Sequence, residues 1–207
     1  MKIYIRPTYA SDVEDVIPLM FSAGPEAYRY VFSQQSSNQA LEFLREAYLR
    51  GGGEFGFSSH FVACQGDRVI GLLGLRQPNN NWPYAWSALT NILRYYSLVD
   101  ALKVLVRGLK FEQIVKPTVR NRLCIHNLAV SESCQGLGVG RQLIEYAVNQ
   151  AQALGFSHVC LDVAETNPKA KALYQRLGFI TQSHHVGNLN STYGKGVSHD
   201  YMELILK

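Results

Sequence analysis

Between Arg122 and Gly155 the chain reads RLCIHNLAVSESCQGLGVGRQLIEYAVNQAQALG, and this stretch limits the fold more than any other. RLCIHNLAV alternates as a strand does. Cys124, His126, Leu128 and Val130 are expected on one face and Leu123, Ile125, Asn127 and Ala129 on the other. Helical spacing takes over from about Gly138 to Leu154 and stops at Gly155. Between strand and helix stand the alternating glycines Gly136, Gly138 and Gly140, followed by Arg141. The first N–H groups of a helix have no intrahelical partner, and the helix dipole adds roughly half a positive charge there. Glycine lets such backbone approach an anion without a Cβ in the way. Gln135 and Arg141 add side-chain donors, so a pyrophosphate is the natural guest.

Two common phosphate loops fit poorly. No Lys-Ser/Thr pair follows the glycines, as a P-loop requires. The dinucleotide fingerprint G-x-G-x-x-G is also missed, because the third glycine comes one residue early and Arg141 stands in its place. Asp162 lies where a ribose-binding acid would sit, so a dinucleotide-dependent enzyme stays open. So does a tight strand-to-helix turn with no ligand.

The rest of the chain frames this unit. KIYIRP reads as a first strand; SDVEDVIPLMF reads as a helix with Ser11 and Glu14 as its capping box and Pro18 kinking or shortening it. A second helix is expected from Asn38 to Arg50, ending at Gly51-Gly52-Gly53. HFVACQ and RVIGLLGLR form a hairpin through Gly66-Asp67. QPNNNWPY reads as a loop, and helical spacing runs from about Ala85 to Ile114, so residues 78–118 read as a helical insertion between the third and fourth main strands. SHVCLDVA is a strand, and NPKAKALYQRLGF is a helix with Asn167 as N-cap, Pro168 at its first position and Gly178 past its end. FITQSHHV and DYMELIL are closing strands around the polar loop GNLNSTYGKGVS. Mixed hairpins and βα units predict an α/β (α+β) fold: one domain over residues 1–207, with a mixed, mostly antiparallel central sheet and helices on both faces.

Composition removes several function classes. A formal charge of +4 without a basic run interleaved with aromatics argues against nucleic acid. No run approaches the ~20 apolar residues of a membrane span, and MKIYIRPTYASD does not read as a signal peptide. Cys64, Cys124, Cys134 and Cys160 form no C-x-x-C pair, which favours a reducing, cytoplasmic setting. His184 and His185 are adjacent on a strand and point to opposite faces, so no metal site is expected.

LAVSESCQGLGVGRQLI resembles the acetyl-CoA-binding motif of the GNAT superfamily of N-acetyltransferases, (Q/R)-x-x-G-x-(G/A), through Gln135, Gly138 and Gly140. NPKAKALYQRLGF is similar to a second signature, N-x-x-A-x-x-L-Y-x-x-x-G-F, through Asn167, Ala170, Leu173, Tyr174, Gly178 and Phe179. IYIRPTYASDVEDVIPL also looks like the family's opening strand and helix.

The resemblance implies transfer of an acetyl group from acetyl-CoA to a primary amine of a small molecule or peptide, by direct attack in a ternary complex without a metal. It implies that the backbone from Gln135 through Gly136 and Gly138 to Gly140, helped by Arg141, holds the pyrophosphate. Leu128, Ala129 and Val130 would pair with the pantetheine arm, and an N–H near Leu128 would hold the thioester oxygen. Asn167 and Ala170 would contact the cofactor, and Tyr174 would protonate the departing thiolate; plain helix packing is the other reading of Tyr174. His126 is the candidate base, where many relatives carry a carboxylate; Glu132, Glu165 or a water chain are alternatives, and a hydrogen-bonded core histidine is the other reading. Tyr28, Tyr30 and Phe32 either line the acceptor pocket or pack ordinarily. The aromatic insertion (Trp82, Tyr84, Trp86, Tyr95, Tyr96) would serve as pocket wall, lid or dimer surface, so a homodimer is possible. A non-catalytic acyl-CoA-binding or sensing module is the alternative function.

Overall fold

The computed structural model describes residues 2–115 and 119–206, so the end of the expected insertion, at residues 116–118, lies outside the described residues. Seven strands form one sheet in the order β1-β2-β3-β4-β5-β7-β6: β1 Ile3–Pro7, β2 His60–Gln65, β3 Arg68–Arg76, β4 Arg122–Val130, β5 His158–Ala164, β6 Ile180–Asn190 and β7 Lys195–Ile205. Every neighbouring pair is antiparallel except β4 and β5. That one parallel pair follows from the connection, because the helix α6 (Val139–Ala153) carries the chain back before β5 begins.

Helices cover both faces. On one, α6 and α7 (Pro168–Arg176) enclose the larger core, with Leu123, Ile125, Leu143, Ile144, Val159 and Leu161 fully or almost fully buried. The other face carries α1 (Val13–Ser22), α2 (Pro25–Phe32), α3 (Gln39–Leu49), α4 (Asn81–Tyr95) and α5 (Leu98–Phe111) over two further clusters. Among the described residues no helix is long and apolar enough to cross a membrane.

Several local expectations give way to tertiary contacts. Asp12 takes over the capping role assigned to Ser11 and Glu14: its carboxylate accepts from the Tyr9 N–H at 2.8 Å and from Arg6 at 2.8 and 2.9 Å. Glu14 instead pairs with Arg45 of α3. Pro18 neither ends nor shortens α1, which runs on to Ser22 with Pro18 on its exposed side. The predicted loop QPNNNWPY is already helical from Asn81, because Pro83 falls in the first turn of α4, where its missing N–H costs no helical bond. The predicted polar loop after Val186 is mostly strand. The β6–β7 hairpin reaches a short turn at Ser191–Gly194, and its Gly194 packs against the α2 backbone so closely that a Cβ would lie 2.4 Å from Glu26 O.

Candidate active site

The β4–β5 ladder is short. It pairs Arg122 with His158 through Ile125 with Leu161 and then ends, although β4 continues to Val130 and β5 to Ala164. Beyond Ile125 the two strands keep their outer partners, β3 and β7, and lose each other. The result is a wedge in the middle of the sheet, with the backbone of Leu128, Ala129 and Val130 along one edge.

A bulge stands at the mouth of the wedge. Leu75 pairs with Ile125 and the preceding Gly74 with Asn127, so His126 is the extra residue of β4. The bulge shifts the alternation. Leu128 and Val130 pack with Leu123 and Ile125 against the α6 side, while Asn127 and Ala129 face α1 and α2. The expectation that Cys124, His126, Leu128 and Val130 share one face is therefore wrong: period-two reasoning holds only while the ladder is regular.

His126 is half-buried on the α1–α5 side, its ring 5.2 Å from that of His60. Its Nε2 lies 3.2 Å from the Glu54 carbonyl, which assigns the proton to Nε2 and leaves Nδ1 as an acceptor. Nδ1 is buried with no partner among the described residues. Burial, reinforced by the charge of Arg76, pulls the ring down to about 4, so it is neutral throughout the physiological range. His60 is almost completely buried, and burial pulls it down to about 3. Its Nδ1 donates to Gly56 O at 3.0 Å, and Asn127 Nδ2 donates to its Nε2 at 3.3 Å. Asn127 Oδ1 in turn accepts from Tyr28 at 2.8 Å. Of the three aromatic residues named in α2, Tyr28 thus reaches the bulge, while Tyr30 and Phe32 are core.

Tyr174 approaches from the opposite face. It is buried on α7 with its ring 5.9 Å from Phe179, in the cluster that Leu128, Val130, Ala170 and Leu173 join. Burial pushes its phenol up to about 12, which keeps it protonated. Asn167 caps α7, its Oδ1 accepting from the Ala170 N–H at 3.1 Å. Tyr174 and His126 therefore flank the wedge from its two sides.

At the end of β4 the glycines divide their work. Gly136 and Gly138 have φ of +78° and +82°, and nothing lies within 4 Å of where a Cβ would stand. Gly140 has a different role: a Cβ there would meet Leu173 at 3.3 Å, so it sets the approach of α6 to α7. Among the described residues no side chain caps α6, which leaves its first N–H groups available to an anion. The flanking side chains are turned elsewhere. Gln135 donates to Val130 O at 3.3 Å and so closes the turn, and exposed Arg141 pairs with Glu145 at 2.7 Å. Glu132 and Glu165 are exposed, outside the wedge.

Sequence reading missed His60, Glu54, Asn127 and Gly74 as parts of this site, and of the neighbours around the bulge it named only Tyr28. Gly74 carried the one usable signal, since an isolated glycine in a strand marks a close approach. Here the approach is that of two imidazoles. His184 is held by Asp200, which also binds Lys171, and among the described residues no group of three or more metal-ligating side chains assembles.

Comparison with known proteins agrees with this geometry. The sequence pattern of the Acetyltransferase (GNAT) family matches residues 25–179. The chain is 36% identical over 62 residues to the [Ribosomal protein bS18]-alanine N-acetyltransferase of Haemophilus ducreyi, covering 30% of this chain and 43% of that one. It is 36% identical over 58 residues to the streptothricin acetyltransferase of Streptomyces lavendulae, covering 28% and 31%. The matches thus span less than half the length of either relative. In fold, it is similar to an N-acetyltransferase from Staphylococcus aureus Mu50, with a TM-score of 0.71 over 97% of this chain and 100% of that one at 14% identity. With its wedge, its glycine turn and a family pattern running from α2 to Phe179, this chain belongs to the GNAT acetyltransferase family.

Proposed function

We propose that the protein transfers an acetyl group from acetyl-CoA to a primary amine of a small molecule or peptide, by direct attack in a ternary complex, in the cytoplasm. The observation that carries this reading is the early end of the β4–β5 ladder beside an uncapped, glycine-lined helix start. An extended arm pairs with the open strand edge as an added strand would, and a diphosphate fits the exposed amides of α6. The coenzyme supplies the acetyl group as an activated thioester.

The remaining chemistry falls to the chain. The backbone from Gly136 to Gly140 grips the diphosphate, with Arg141 free to leave Glu145 for it. Leu128, Ala129 and Val130 align the arm, and an N–H near Leu128 stabilises the carbonyl oxygen as it gains charge, an effect on the order of 3 kcal/mol. Asn167 and Ala170 fix the start of α7 beside the coenzyme. Tyr174 donates to the departing sulfur from the α7 side.

His126 Nδ1 receives the amine hydrogen from the other side. With the ring at about 4, it is a poor acceptor for the proton of an alkylammonium near pKa ~10.4, a transfer uphill by about 9 kcal/mol. The amine therefore arrives as its free base, or sheds its proton through water. His126 accepts a proton once the new N–C bond has made the nitrogen acidic.

A panel of primary amines scored by release of free thiol tests the proposal. Acetyl-CoA-dependent release with a subset of amines is expected. Tight acetyl-CoA binding with no release across the panel would replace it with the acyl-CoA-sensing alternative. Calorimetry in which a nicotinamide dinucleotide binds and acetyl-CoA does not would sink both.

A further inference from the structure

The insertion carries an apolar face that nothing among the described residues covers. On α5, Ala101 and Val104 are buried and Gly108 approaches Val31 of α2, so one side of the helix is already packed. About a third of a turn away runs a second apolar stripe: Leu98, Leu102, Leu105 and Leu109. Leu98, Leu102 and Leu109 are 81%, 64% and 64% exposed, and Val99 and Val106 widen the stripe and are exposed too. A helix that serves only its own core needs one apolar face.

The spacing of the stripe identifies what covers it. Intervals of four, three and four residues are those of a coiled-coil seam. The pattern is also symmetric about the midpoint between Lys103 and Val104, so reversing the helix maps Leu98 onto Leu109 and Leu102 onto Leu105. A surface that matches itself after reversal is what a two-fold interface requires, since there the same patch contacts itself. We propose that the protein forms a homodimer through antiparallel pairing of α5 with α5 of a second copy, Leu98 of each chain lying against Leu109 of the other.

At roughly 100 Å² per fully exposed aliphatic side chain, the exposed parts of Leu98, Val99, Leu102, Val106 and Leu109 offer about 320 Å² of apolar surface. One side of a standard homodimer interface is about 800 Å², roughly 65% of it apolar, so this stripe alone supplies about 60% of what such an interface needs. Antiparallel pairing also sets the positive end of one helix dipole beside the negative end of the other.

Sedimentation equilibrium of the full chain at tens of micromolar is expected to give twice the 23.2 kDa chain mass. Leu102→Glu with Leu109→Glu is expected to give monomers that keep the wild-type circular dichroism and acetyl-CoA affinity. Orientation is read by cross-linking, which also decides the matter should the glutamate variant fail to fold. The native cysteines are all buried, so introduced thiols report alone. Leu98→Cys mixed with Leu109→Cys is expected to form an intermolecular disulfide. Leu98→Cys alone is not, because its two copies sit about 16 Å apart along the helix axis. A monomeric wild type, a dimer that survives both glutamates, or efficient self-cross-linking of Leu98→Cys each overturns the proposal.

Discussion

Gly74→Ala asks whether the position of the His126 ring matters to the reaction. Gly74 lies opposite Asn127 in the β3–β4 ladder, and its φ is outside the left-handed region, so the backbone accepts alanine. The new methyl would lie 2.6 Å from His126 Nε2, 2.7 Å from Cε1 and 3.0 Å from His60 Cδ2. Ordinary carbon contacts stand at about 3.5–4.0 Å, so the His126 ring retreats by roughly 1 Å. That movement strains its 3.2 Å hydrogen bond to Glu54 O and redirects Nδ1. Misplacement of a reacting group by about 1 Å costs on the order of 100-fold in rate. Overpacking costs about 1–3 kcal/mol of stability. We expect kcat to fall about 100-fold with KM for acetyl-CoA nearly unchanged, because the glycine turn is untouched. Initial rates of thiol release and urea melts measure the two effects separately. In a His126→Ala background the added methyl should have no further effect on kcat, since the ring it displaces is gone and only the contact with His60 remains. A folded Gly74→Ala enzyme with wild-type kcat would refute the placement of His126 at the reacting centre.

Three other outcomes are expected. Tyr174→Phe should lower kcat by about 10²–10⁴-fold while acetyl-CoA affinity is retained; equal losses in both would make Tyr174 a packing residue only. Gly138→Ala forces a side chain to adopt φ near +82° and should cost about 1–2 kcal/mol of stability and weaken acetyl-CoA binding, as calorimetry would detect. The third concerns acid. Burial holds His60 neutral down to about 3, whereas the unfolded chain takes up this proton near pH 6.5, so the contribution is full above 6.5 and is lost as pH falls toward 3. At pH 5.0 His60 alone should have cost about 2 kcal/mol relative to pH 7.5. Urea melts at the two pH values should show a correspondingly smaller drop in His60→Phe, and equal drops would contradict the assignment.

The glycine turn, the N-cap at Asn167 and the strand-to-helix order were legible because each depends on residues close in sequence. Gly136 and Gly138 need positive φ whatever surrounds them, and Asn167 caps its own helix. Gly140 was read only for its bare backbone, and nothing local signalled its close approach to Leu173, which arrives from a different helix. Gln135 and Arg141 were read as phosphate donors, yet here each satisfies a nearer partner, Val130 O and Glu145. His126 was singled out by type and place in the strand, but the face it occupies was misjudged, because a bulge is a property of the paired strand and not of RLCIHNLAV itself.

The sequence by itself determined where the bare glycine turn before α6 would lie, that Tyr174 would sit on α7, and that the sheet would mix hairpins with one βα crossover. These follow from local conformational preference and from periodicity within single elements. Tertiary structure alone decided that β4 and β5 part after Ile125, that a bulge turns His126 toward His60 and Glu54, and that Tyr28 and Asn127 brace His60. It also decided that one of the two apolar faces of α5 stays uncovered among the described residues. Each of those outcomes depends on residues distant in sequence competing for the same space and the same hydrogen bonds, a competition that exists only once the chain has closed on itself.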